Sequence, residues 1–273
     1  MDSRERIMVA LGCGQPDRVP TFELYFNESS IVKLARVMGL DAGASAARDR
    51  FGQESTRVLD LYCALAEGLG LDALSSNHSV GMEPVDENHV RDRFGTAYIL
   101  SEHGEPLPTE GPVKERSDVA GIDMASTLRR EDFSATEYLV GATDKAQFVC
   151  ILDPFKLSWR LCGGMENLLI HYRLEPRLVH DLARMTTDFD LAAIGLAKDA
   201  GADAIIMPGD LAGEYAPIIS PEDYREYLKP YHRELVGCAH GHGLKAVTHS
   251  DGNVWPILDD FIEVGFDGFH PVQ

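Results

Sequence analysis

The sequence has no run approaching the roughly 18 consecutive apolar residues that a membrane-spanning helix needs, so no transmembrane segment is expected. It is also short of paired cysteines. Cys13, Cys63, Cys150, Cys162 and Cys238 are scattered, odd in number and form no Cys-x-x-Cys, which argues against a disulfide framework and for reduced thiols. Basic charge is scarce: 25 Lys and Arg stand against 44 Asp and Glu, a formal net charge of −19. Such a field repels phosphate backbones and no basic stripe relieves it, so nucleic-acid binding is not expected. The opening Met1-Asp2-Ser3-Arg4-Glu5-Arg6 carries both signs of charge with no apolar run behind it. That is not a secretory signal, and the expected compartment is the cytoplasm. No phosphate-cradling glycine loop, Gly-x-Ser-x-Gly elbow or dinucleotide fingerprint occurs either.

What is present is an alternation of strand-like and helix-like segments in 273 residues that are 44% apolar, the pattern of an α/β protein with a parallel sheet. A helical lead fills about the first seventy residues, with Ile31, Leu34, Ala35 and Met38 at helical spacing and a stop at Gly39. Leu69 to Ser76 reads as the first buried strand. From Val80 to about Asp118, short alternating runs among Gly and Pro predict a small β-excursion. Asp123 to Thr143 is polar and expected to be helical in part. Gln147 to Leu152 is the next strand. A long helix from Pro176 then carries the apolar stripe Leu178, Leu182, Met185, Phe189, Ala193 and Leu196. Asp203 to Met207 and Leu244 to Thr248 follow as strands, separated by a helix that starts at Ser220-Pro-Glu-Asp223 and runs to about His240. A final helix, about Val254 to Val264, leads into Phe266 to His270. Five strands, each but the last followed by a helix, predict a (β/α)8 TIM-barrel type cut short, because closure needs eight. Residues 1–273 are read as one incomplete barrel domain, with 80–118 as an excursion within it.

Several strings in order resemble the uroporphyrinogen decarboxylase superfamily. They are Arg6-Ile-Met-Val-Ala-Leu11 with Pro16-Asp-Arg-Val-Pro20, then Gly201-Ala-Asp through Gly209-Asp-Leu-Ala-Gly213. Ile219-Ser-Pro-Glu-Asp-Tyr224, Lys229-Pro-Tyr231, His249-Ser-Asp-Gly-Asn253, Gly265-Phe-Asp267 and Pro271-Val-Gln273 complete the set. The resemblance implies one of two chemistries: cofactor-free decarboxylation of uroporphyrinogen, or zinc-dependent methyl transfer between a corrinoid and a thiol or O-methyl donor. A substrate with eight carboxylates calls for arginine forks at the barrel mouth. Where the decarboxylases carry Arg-Gln-Ala-Gly-Arg-Tyr, this chain reads Thr21-Phe-Glu-Leu-Tyr-Phe-Asn27 and offers Glu23. Asp72 is matched loosely to an aspartate that holds pyrrole NH groups, and Asp210 replaces a substrate-contacting serine.

The zinc-dependent members carry His-x-Cys after the fourth strand and a later cysteine. Here the string is His249-Ser250-Asp251. Residues two apart on a strand share a side, so His249 and Asp251 are the expected metal ligands, with Asp210 or Glu214 as substitutes for the third. Asp210, His249 and Asp251 are the expected catalytic groups. Asp72, Asp153, Trp159, Glu214, Tyr215 and His270 are the expected substrate contacts, with a solvent-facing or capping role as the alternative for Asp72 and core packing for Trp159 and Tyr215. His240-Gly-His242 lies between a helix and the next strand, so it belongs to the opposite end of the barrel. No Asp-x-His-x-x-Gly signature occurs, so any corrinoid is expected on a separate protein. The reading is a methyltransferase-like enzyme acting on a small molecule, with zinc and a partner corrinoid protein. A decarboxylase and a non-catalytic barrel fragment that binds partners are the alternatives, and an open barrel invites a homodimer.

Overall fold

The computed structural model describes residues 1–24, 26, 28–40, 56–78, 80–101 and 106–272. Three helices lead: α1 (Ser3–Leu11), α2 (Glu28–Val37) and α3 (Thr56–Leu69). Strand β1 (Ala73–Asn77) is followed by four short strands, β2 (Met82–Pro84), β3 (His89–Asp92), β4 (Ala97–Leu100) and β5 (Pro106–Glu110). Helices α4 (Arg116–Val119) and α5 (Ser134–Ala142) precede β6 (Ala146–Cys150). Next come α6 (Pro154–Leu161), α7 (Met165–Leu174), α8 (Pro176–Asp199) and β7 (Ala204–Pro208). The chain ends through α9 (Pro221–Tyr227), α10 (Lys229–Gly241), β8 (Lys245–His249), α11 (Leu258–Val264) and β9 (Gly268–His270).

Five strands form one sheet in the order β1-β6-β7-β8-β9, every neighbouring pair parallel. Among the described residues the sheet does not close. Strands β2 to β5 make a separate antiparallel sheet, within the span where turn residues predict an excursion.

Side chains alternate across the strands, and each face has its own partner. Val149, Ile151, Ile205, Met207 and Ala246 point outward onto Ala193, Ile194 and Ala197 of α8 and Leu235, Val236 and Ala239 of α10. Ala73, Ala146, Phe148, Ala204, Ile206 and Val247 point inward, where Ile7 and Leu24, with Leu11 and Phe22, cover them. Phe22 stacks on Phe148 at 4.5 Å between ring centroids. Each fully buried Phe, Ile, Leu or Val among them is worth about 1.5–3 kcal/mol. The segment from Thr21 to Leu24 runs beside β1: Asp72 N donates to Thr21 O at 2.7 Å, and Ser75 Oγ donates to Leu24 O. The expected helical lead is therefore interrupted by an extended stretch.

Two boundaries differ from the sequence reading. The first strand starts at Ala73, because the apolar Leu69 closes α3 and Gly70, at φ +67°, turns the chain. Ser220 caps α9 as expected, its Oγ accepting from Asp223 N at 3.0 Å, but the helix breaks at Leu228. Pro230, which has no N–H to give, opens α10 instead. No described helix is long and apolar enough to cross a membrane.

Candidate functional site

The strand ends carry opposite chemistry. At the N-terminal end, Asp72 is fully buried and accepts from Arg6 at 2.6 Å, from Arg18 through two contacts at 2.8 Å, and from Thr21 N at 2.8 Å. Asp17 joins through Arg6 at 2.6 Å, and Arg4 reaches Asp203 at 2.7 Å. Asp72 is thus a correction to the expected substrate contacts. It precedes β1, at the end remote from the mouth, and its oxygens are committed to two guanidinium groups. The exposed residue at the mouth end of that strand is Asn77.

At the C-terminal end, β7, β8 and β9 deliver Asp210, His249 and His270. Register sets Pro208 beside His249 and His249 beside His270. His249 Nδ1 lies 2.8 Å from His270 Nδ1, and His249 Nε2 lies 3.5 Å from Asp210 Oδ1. Lys156, on the first turn of α6, pairs with Asp210 Oδ2. Burial acts to raise the Asp210 carboxyl, but the bond from His249 and the charge of Lys156 outweigh it and hold it at about 2. Burial, then the neighbouring His249, pushes His270 below the ordinary imidazole value, so it is neutral at pH 7.

Asp210 sits at φ +50°, in the left-handed region that non-glycine residues enter at a cost. The loops after β7 and β8 lock together beneath it. Leu211 N donates to Ser250 Oγ at 2.9 Å, Gly209 N to His249 O at 2.9 Å, and Asn253 N to Gly213 O at 2.8 Å. Gly252, at φ +83°, permits this fit, since a Cβ there would lie 2.4 Å from Gly213 O. That contact is the physical role of the glycine in His249-Ser-Asp-Gly-Asn253.

The remaining expected residues separate. Asp251 is exposed on the rim, because β8 ends at His249 and the strand alternation does not carry past it. Glu214 and Tyr215 are also exposed on the rim, Tyr215 at 83%. Asp153 follows β6 at the mouth end but is fully buried, so it cannot touch a substrate there. Trp159 is half-buried against the core rather than lining the mouth. His240 Nε2 lies 2.8 Å from Asp267 at the base of β9, as its place before β8 predicts.

Lys156 and the buried His232 were absent from the sequence reading. A readable signal existed for Lys156. The helix dipole disfavours a cation in a first turn, so a lysine right after Asp153-Pro-Phe implies a nearby anion.

The expected metal ligands do not form a set. Zinc needs at least three protein donors. Among the described residues no three His, Cys, Asp or Glu side chains gather around one point. Asp210 is already answered by Lys156, and His249 Nδ1 by His270. The donors described here do not fit a zinc centre.

In parallel α/β barrels active sites lie at the C-terminal strand ends, and Asp210, His249 and His270 occupy that end of this sheet. The uroporphyrinogen decarboxylase (URO-D) family matches residues 91–271, about two thirds of the chain, and the protein belongs to that family. A uroporphyrinogen decarboxylase of Mycobacterium bovis (strain BCG / Pasteur 1173P2) is 25% identical over 243 residues, 81% of this chain and 67% of the relative. A methylated-thiol–coenzyme M methyltransferase of Methanosarcina mazei is 22% identical over 228 residues, 79% of this chain and 56% of the relative. A solved methyltransferase from Methanosarcina mazei superposes with a TM-score of 0.70 at 18% identity, over 98% of this chain and 75% of that one. The chain thus spans roughly two thirds or less of these two sequence relatives.

Proposed function

We propose that this chain is a methyltransferase-like member of the family, transferring a methyl group between a small molecule and a corrinoid carried on a separate protein. The observation that carries the reading is the distribution of cations. Arg4, Arg6 and Arg18 are paired at the N-terminal end of the sheet, and among the described residues the cation paired at the mouth is Lys156, already answered by Asp210. Glu23, Glu214 and Asp251, all exposed, add acid, and an acidic mouth opposes a polycarboxylate.

The residues are suited to moving a proton. With His270 neutral, its Nδ1–H can donate to His249 Nδ1 while His249 Nε2–H points toward Asp210. His270 then keeps a lone pair on Nε2. That nitrogen can take the proton of a thiol, leaving sulfur as the thiolate that attacks a methyl group. Lys156 keeps Asp210 ionised, and Asp210 fixes the tautomer of His249. The corrinoid, when bound, would supply the methyl group and keep the electron pair of the cobalt–carbon bond that breaks. Zinc is assigned no step, because the donor set does not fit it.

The test supplies the protein with methylcob(III)alamin and a thiol in one assay and uroporphyrinogen in another. Thioether formation that falls in His249→Ala is the expected result. Carbon dioxide release from uroporphyrinogen, with no methyl transfer, would overturn the proposal in favour of a decarboxylase.

A further inference from the structure

Behind the mouth lies a second set of polar groups with no exposed surface: Asp153, Asp190, His232 and Tyr224. His232 Nε2 is 2.7 Å from Asp153 Oδ2, and His232 Nδ1 is 3.0 Å from Tyr224 Oη. The other oxygen of Asp153 caps α6, accepting from Phe155 N at 2.8 Å. Its backbone N donates to Pro208 O at 3.3 Å. Its carboxyl lies 3.0 Å from where a Cβ on Gly209 would stand.

These contacts fall on both segments that carry the mouth ion pair. Lys156 is one residue beyond Phe155 on α6, and Asp210 follows Gly209. A cap alone would be served by Ser or Asn. Placing a carboxylate and an imidazole together in a dry interior costs several kcal/mol unless each is well paired. The fold keeps the expensive arrangement at the junction of α6 and β7. Asp190, on α8, is the other buried carboxyl near Asp153, and neither of its oxygens has a hydrogen-bond partner. Burial, then the charge of Asp153, pushes it well above the usual carboxyl range. The carboxyl that His232 meets is that of Asp153.

We infer that His232 and Asp153 are positioning residues, holding the N-terminus of α6 against the β7 loop so that Lys156 and Asp210 stay in contact. The inference rests on the reading that this pair belongs to the working site, yet it is decided without turnover. The experiment is an NMR titration of the Asp210 carboxyl in the whole chain and in Asp153→Asn, His232→Gln and Tyr224→Phe. Asparagine keeps the cap and removes the charge.

In Asp153→Asn and His232→Gln, the Asp210 carboxyl is expected to rise by about one unit toward its ordinary value, as Lys156 moves away. Tyr224→Phe should give a smaller rise in the same direction. If Asp153→Asn does not fold, Gly209→Ala, which presses a methyl group on the Asp153 carboxyl, replaces it with the same expectation. An unchanged Asp210 titration in folded variants would overturn the inference and reduce Asp153 to a helix cap. Should Asp210→Asn keep full methyl transfer, the functional reading fails while the titration still decides this one.

Discussion

The two ends of the parallel sheet both carry ionisable groups and use them differently. At the N-terminal end the buried and half-buried acids are met by cations: Asp72 has Arg6 and Arg18, Asp17 has Arg6, Asp203 has Arg4 and Asp267 has Lys245. Among the described residues at the C-terminal end, acids outnumber the paired cations, two imidazoles touch, and Asp210 sits in a strained backbone conformation. A saturated network holds a fold together, whereas strained backbone tends to cluster at functional sites. Charge at the first end should therefore govern stability, and charge at the second activity.

The largest expected effect is at the mouth. Asp210→Asn should lower turnover by about 10²–10⁴-fold, the range for removing a proton-handling group, while urea unfolding shifts by no more than about 1 kcal/mol. Equal loss of stability and turnover would break the contrast. Next comes Asp72→Ala, which strands Arg6 and Arg18. It should destabilise by about 3 kcal/mol in urea unfolding, at the lower end of the range for broken buried pairs because Arg18 is half-exposed. The remaining folded enzyme should keep its Michaelis constant.

Gly252→Ala sharpens the comparison from the backbone side. A methyl group at φ +83° and 2.4 Å from Gly213 O should destabilise by about 2 kcal/mol and displace His249, raising the Michaelis constant as well. The smallest effect belongs to pH. His270 has a folded pKa below 6.5, so the unfolded chain binds its proton more readily. Its contribution to stability is complete above pH 6.5 and is lost as pH falls through the folded value. His270→Phe should flatten the stability curve below pH 6.5 and leave its slope near pH 8 unchanged.

Much of this contrast was legible in the sequence. The order of parallel strands follows from apolar runs separated by helical stripes, and His249, Asp210 and His270 follow from standing at strand ends. Asp72 was misplaced because Leu69-Gly-Leu71 continues the apolar pattern of α3 and mimics a strand start, which puts the aspartate at the wrong end. Asp153 was assigned to the correct end, but only packing reveals that His232, some eighty residues later, buries it. Asp251 failed through one assumption, that strand alternation continues past His249. The loop contact through Ser250 ends it. Membership of the family was legible in ordered strings, whereas the choice between its chemistries turns on charge placement in three dimensions.

The central claim is that the mouth does not accept a polycarboxylate. The direct measurement is a titration of the protein with uroporphyrin, the stable oxidised form of uroporphyrinogen, followed by its absorbance at low and moderate salt. No saturable binding at either salt is predicted. Tight binding that weakens with added salt and with Lys156→Ala would contradict the claim and place the chain with the decarboxylases.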